Sequence, residues 1–303
     1  MEDILFHNKF VVTPYIEDLM NRSLIYLQAG FPVHLRGSAG TGKTALALHI
    51  ARKMNRPIMV MFGNEELERS SLIGNSFGLK RKTVYDNFIS SVVKKEEEIE
   101  EKWIDGRILH ACKNGYVLVY DEFTRSRPET NNVFLSILEE EVIEIASNKT
   151  GNEYIKIHPE FKVIFTSNPD EYAGIYKLQD ALKDRMITLS IGYPDRETEI
   201  KIVKAQTRLI SPTAEIIVDI IRKFRDLKYP DYNPTVRSGI MIGKSVKTSR
   251  LESNIACELF RQICKDIILS EKSYSKVTGN EKNKAVIALD EIIDRVLSMY
   301  KGY

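Results

Sequence analysis

Apolar residues recur at helical intervals through residues 15–29, YIEDLMNRSLIYLQA, and the run stops at Gly30, so the pattern predicts a helix ahead of the first strand. Continuous apolar runs then appear in FPVHL, RPIMVMFG, GYVLVYDEF and FKVIFTSNP. Short runs without polar alternation suit strands that are covered on both faces of a parallel sheet. TALALHIARKM, which follows the first of them, returns to helical spacing. Strands alternating with helices through residue 191 predict an α/β sandwich. Between residues 64 and 115 the chain is charged and less regular, and its densest run, KKEEEIEEK at 94–102, reads as a solvated helix face.

After Tyr193-Pro194 the strand signals fade and helical spacing takes over to the last residues. Ser211-Pro212 supplies a helix cap followed by proline in the first turn. Ile216, Ile217, Ile220, Ile221, Phe224 and Leu227 line one face of the helix that follows, and NKAVIALDEIIDRVLSMY repeats the pattern. Two domains are therefore expected: an α/β domain over 1–193 and a helical domain over 194–303, with no internal repeat.

Composition narrows the classes. With 43% hydrophobic residues in 303, the chain can fill a substantial core. Its 44 basic and 42 acidic side chains leave a formal charge of +2, no large field to draw it onto nucleic acid or an anionic membrane. Cys112, Cys257 and Cys264 form neither an even disulfide framework nor a C-x-x-C pair, which points to a reducing compartment. Cys257 and Cys264, seven apart, read as core packing on one helix face. No apolar run reaches the ~18 residues of a membrane span, and the acidic start MEDILFHNKF lacks a signal peptide's basic region, so a soluble cytoplasmic protein is expected. His7, His34, His49, His110 and His158 show no ligand spacing and read as packing or surface residues.

The chemistry begins at RGSAGTGKTALAL. Gly37, Gly40, Gly42, Lys43 and Thr44 fit G-x-x-x-x-G-K-[ST], in which glycines let successive backbone N–H groups, here from Gly37 through Ser38, Ala39 and Thr41 to Thr44, face nucleotide phosphates. A strand before the loop and a helix after it place those phosphates at a helix N-terminus. At the end of YVLVYDEF, Asp121 can hold Mg²⁺ in its inner or outer shell while Thr44 supplies a hydroxyl, and Glu122 can polarise the attacking water. FKVIFTSNP should be a strand inserted between those two, bringing Asn168 towards the γ-phosphate, with Thr166 and Ser167 as weaker candidates. Arg185, in LQDALKDRM, is expected on a short helix. It either reaches a neighbouring subunit's nucleotide or pairs with Asp184 or Asp180 on its own surface. Arg237, in NPTVRSGI, opens a helix of the second domain from which it can fold down on the phosphates.

With loop, DE box, asparagine strand end, arginine and helical region in this order, the chain resembles an AAA+ ATPase of the MoxR-like branch. YLQAGFPVHLRG, EFTRSRPE, NPDEYAG and the segments around them resemble, more narrowly, the gas vesicle protein N family. The resemblance implies a three-layer α/β nucleotide-binding sandwich followed by a smaller helical lid, with ATP and Mg²⁺ as cofactors. It implies ATP hydrolysis in homo-oligomeric rings, six subunits being the expectation, in which Arg185 acts in trans and Arg237 is the lid sensor. It also implies a β-hairpin before the asparagine strand, and VIEIASNKTGNEYIKI at 142–157 has the alternation and central glycine for one. Gas vesicle shell and accessory proteins are the partners implied, with a cytoplasmic or vesicle-associated location. Ser38 stands where proline is commoner in the family, and nucleotide binding is expected to survive it. The rival readings are a MoxR-type chaperone that matures a metalloenzyme, an ATP-bound scaffold that does not hydrolyse, and a nucleic-acid motor. The last is disfavoured by the near-neutral charge.

Overall fold

The computed structural model describes residues 10–86, 94–147, 151–169, 175–229, 232–270 and 279–300, with side chains outside 76–102, 146–152 and 279–281. His7, most of the acidic start, and residues 170–174 of the NPDEYAG stretch lie outside the described residues. In chain order the first half runs α1 (Pro14–Gln28), β1 (Val33–Arg36), α2 (Lys43–Lys53), β2 (Ile58–Phe62), α3 (Arg69–Ile73), β3 (Gly74–Asp86), β4 (Lys94–Asp105), α4 (Arg107–Asn114) and β5 (Val117–Asp121). There follow α5 (Pro128–Asn131), α6 (Val133–Glu139), β6 (Val142–Ser147), β7 (Gly151–Lys156), β8 (Lys162–Ser167), α7 (Asp180–Lys183) and β9 (Ile187–Ser190). The rest is helical: α8 (Arg196–Thr207), α9 (Ser211–Asp226), α10 (Val236–Thr248), α11 (Glu258–Ile268) and α12 (Gly279–Met299).

Two compact units divide the chain. One comprises residues 1–22, 37–49 and 190–303, the other residues 23–36 and 50–189. The second unit holds a five-stranded sheet in the order β2-β5-β8-β1-β9, of which the pairs β2–β5, β5–β8 and β8–β1 run parallel. As the apolar runs predict, β5 is buried at every position and β8 at all but its first. The expected insertion of FKVIFTSNP between the other two strands is observed, with β8 lying between β5 and β1. Its register pairs Tyr120 with Phe165, Leu35 with Thr166 and Arg36 with Ser167. The carboxyl ends of β1, β5 and β8 therefore lie side by side, the edge at which parallel α/β sheets carry their ligands. Tyr120, Phe123, Phe134 and Phe165 form the aromatic centre of the core behind that edge, with ring centroids 4.9–6.2 Å apart.

The hairpin expected at 142–157 is present as β6 and β7, paired antiparallel from Val142–Lys156 to Ser147–Gly151. The acidic run at 94–102 departs from expectation. It forms β4, not a helix face, and pairs antiparallel with β3. On a helix Glu96 and Glu100, and Glu97 and Glu101, would repeat like charges at i,i+4 spacing. The observed register sets Lys80 opposite Glu100 and Lys82 opposite Glu98 instead. The base of this ribbon is tied down: Trp103 Nε1 donates to Asp105 Oδ1 at 2.9 Å, and Lys113 Nζ reaches Asp105 Oδ2 at 2.8 Å.

In the other unit, α8–α12 enclose a separate core. Ile216, Ile217, Ile220, Ile221 and Phe224 of α9 are buried in it, whereas Leu227, expected on the same face, caps the helix end and is 48% exposed. Ser211 is not the cap. Ile210 takes that position and Ser211 is already helical, its hydroxyl accepting from Lys204 Nζ at 2.6 Å, while Pro212 stands in the first turn as expected. Cys264 is buried in this core, and Cys257, the N-cap of α11, is half-buried and packs against it. Thr13 Oγ1 lies 2.7 Å from Thr198 Oγ1, which ties the segment before α1 to α8.

Candidate active site

The glycine-rich loop follows β1 directly and runs into α2. Two of its glycines are dictated by space. A Cβ on Gly37 would stand 2.1 Å from the Ile191 carbonyl oxygen. Gly40 has φ +73°, a left-handed conformation, and a Cβ there would stand 2.4 Å from Thr235 Oγ1. Lys43 Nζ and Thr41 Oγ1 both donate to the Ser38 carbonyl, at 2.8 and 2.9 Å, which closes the loop around its own backbone. Lys43 and Thr44 form the first turn of α2, where the backbone N–H groups and the helix dipole favour an anion. Thr235 is the N-cap of α10 and completes a capping box with Ser238. Arg237, exposed in the first turn of that helix, thus shares a compact unit with the loop, and its helix begins against Gly40.

The acidic pair belongs to the other unit. Asp121 ends β5 and is buried, and its Oδ1 accepts from Thr166 Oγ1 at 2.5 Å. The Glu122 amide donates to the same Thr166 Oγ1 at 3.0 Å. Glu122 itself is left-handed, φ 51° and ψ 39°, and its carboxylate meets Arg125 Nε at 2.9 Å. The EFTRSRPE stretch that follows is pinned from several sides. Tyr120 donates its hydroxyl hydrogen to Ser126 Oγ at 2.6 Å, and Asn131 Nδ2 donates to the Phe123 carbonyl at 3.1 Å. Burial pushes the Tyr120 phenol up to about 12, so it remains a neutral donor at ordinary pH.

Asn168, buried just past β8, stands at the same sheet edge as Asp121. Arg185 is placed differently from expectation: α7 ends at Lys183, so the arginine follows the helix and is not on it. Neither Asp180 nor Asp184 is its ion partner. Its guanidinium pairs with Glu139 at the end of α6 and donates to the Ala181 carbonyl at 2.6 Å, while Asp180 is taken by Lys183.

His34, read from the sequence as a packing or surface residue, is more than filler. It is buried on β1, with Nε2 2.8 Å from Ser167 Oγ and Nδ1 3.1 Å from Thr188 Oγ1. A neutral ring donates through one nitrogen and accepts through the other. Burial, aided by the Arg36 charge, lowers its pKa to about 4. The one signal available in the sequence is a histidine inside the otherwise apolar run FPVHL. Among the described residues no helix is long and apolar enough to cross a membrane.

Residues 32–186 match the AAA domain family, dynein-related subfamily. A gas vesicle ATPase GvpN from Ancylobacter aquaticus is 42% identical over 286 residues, which cover 93% of this chain and 80% of that protein. Gas vesicle ATPase GvpN1 from Halobacterium salinarum is 35% identical, over 93% of this chain and 80% of its own length. Among solved structures, a RuvB mutant from Thermotoga maritima is similar with a TM-score of 0.51 at 18% identity, covering 96% of this chain and 89% of that one, and this likeness concerns the fold. Sheet order, glycine-rich loop and acidic strand end agree with these matches. The chain is a nucleotide-binding, ATP-hydrolysing AAA+ protein, and it belongs to the gas vesicle ATPase GvpN family.

Proposed function

We propose that the chain hydrolyses ATP to support gas vesicle assembly and growth by acting on shell or accessory proteins of the vesicle. The observation that carries this reading is the 42% identity to a gas vesicle ATPase over 93% of the chain. In this reading Gly37 to Thr44 hold the phosphates with backbone N–H groups, and Lys43 exchanges the Ser38 carbonyl for a phosphate oxygen. Thr44 and Asp121 offer one hydroxyl and one carboxylate, hard oxygen donors of the kind Mg²⁺ takes alongside water and phosphate. Mg²⁺, when bound, would offset negative charge on the phosphates.

Glu122 polarises the attacking water and Asn168 orients it. Arg185 works on a neighbouring subunit's nucleotide in a homo-oligomeric ring, and Arg237 acts from the helical lid, which begins near residue 193. The protein works in the cytoplasm or at the vesicle surface. The test uses cells whose only copy carries Glu122→Gln: small, immature vesicles are expected by electron microscopy, with shell protein co-purifying with the variant. Vesicles of normal width and number would overturn the reading.

A further inference from the structure

We infer that Thr166 is the positioning residue of the acidic pair: one hydroxyl orients Asp121 for the metal and Glu122 for water. This rests on the assignment of Asp121 and Glu122 proposed above. Thr166 is fully buried at the penultimate position of β8, and a hydroxyl has a single hydrogen to give. That hydrogen is committed to Asp121 Oδ1 at 2.5 Å, which fixes the carboxylate's rotation about its side-chain bonds. One lone pair accepts the Glu122 amide at 3.0 Å.

The second bond has its own consequence, because Glu122 is in the left-handed region, which is strained for a residue other than glycine. Its backbone is held there from both sides: the amide by Thr166, and the carbonyl by the Arg125 amide at 2.9 Å. Released from Thr166, residue 122 would relax towards negative φ and swing its carboxylate away from the sheet edge. Thr166 is itself set in place by register: it is paired with Leu35 on β1, and its neighbour Ser167 is bound by His34 at 2.8 Å. A residue that orients a metal-binding carboxylate typically changes metal affinity or activity by roughly 10- to 100-fold when removed.

The experiment measures the affinity of the full chain for a fluorescent ADP analogue with Mg²⁺ and with EDTA, and takes the ratio as the metal coupling. Thr166→Val, similar in volume and without a hydroxyl, should cut that ratio by roughly tenfold or more while the EDTA affinity stays within about twofold of wild type. Thr166→Ser should restore the ratio. Thr166→Ala should behave like Thr166→Val, and it carries the test if the valine variant fails to show a cooperative unfolding transition. A wild-type ratio in Thr166→Val or Thr166→Ala, or a serine variant as weak as valine, would overturn the inference. A wild-type chain whose nucleotide affinity ignores Mg²⁺ would overturn the assignment of Asp121 on which it stands.

Discussion

The Thr235 side chain occupies the space into which a Cβ on Gly40 would project, with its Oγ1 2.4 Å and its Cβ 2.8 Å from that point. The glycine-rich loop and the cap of α10 are therefore fitted to one another. Gly40→Ala should lower stability by about 2 kcal/mol or more, combining left-handed strain with the clash, and should weaken ATP binding at least ~10-fold. Thr235→Gly, which keeps an acceptable N-cap, should recover part of both losses. The check is a double-mutant cycle by urea unfolding and nucleotide titration; strictly additive effects, within about 0.5 kcal/mol, would deny the contact.

Glu122 and Arg125 form an ion pair across one 3-10 turn, both about 40% exposed. A carboxylate held by a guanidinium is less available to a water. Breaking an exposed pair costs roughly 0.5–1 kcal/mol, so Arg125→Gln should raise basal ATP turnover by roughly two- to fivefold with little change in melting temperature. Steady-state phosphate release measures it, and a slower variant would mean that Arg125 assists the reaction.

Arg185 is held by Glu139 within its own chain. For it to act on a neighbour it must leave that carboxylate, so Glu139→Gln should be tolerated by the fold and should not impair turnover. A protomer lacking Arg185 should complement one lacking Glu122, because one mixed interface then carries an intact set. An arginine acting in trans is typically worth 10³–10⁵ in rate, so partial rescue on mixing should stand clear of background. No gain at any mixing ratio, with subunit exchange demonstrated, would assign Arg185 to its own protomer.

His34 gives a pH signature with a definite sign. Its ordinary pKa of 6.5 falls to about 4 in the fold, so between these values the unfolded chain binds a proton that the folded chain excludes. The contribution is intact above pH 6.5 and is lost progressively as pH falls towards 4, by about 3 kcal/mol at most. Unfolding of wild type against His34→Gln should diverge only in that window, the variant losing less stability as the pH drops. Parallel curves would show that the ring titrates normally.

The sequence was most readable where chemistry and local pattern coincide. The strand before the loop, the loop and Asp121 at a strand end need only a few adjacent residues, and all were found in their expected elements. Side-chain partners were less readable because they depend on long-range register. Thr166 lies 45 positions from Asp121, and only the β5–β8 pairing brings the two together. Glu139 lies 46 positions from Arg185, beyond the reach of local spacing, which offers Asp180 and Asp184. The β4 strand is illegible for a related reason: a charged run has no apolar period of its own, and its pairing with β3 is a matter of register.

The compact unit that contains the glycine-rich loop also contains the first 22 residues and everything from Ser190 onward, so the chain passes between the two units four times. The helices are consequently not a detachable appendage. Cutting the chain after residue 193 would remove Thr235, against which Gly40 is shaped, together with Thr198, the partner of Thr13. A fragment ending there would keep every residue of the G-x-x-x-x-G-K-[ST] motif and still lack the wall that gives the loop its form.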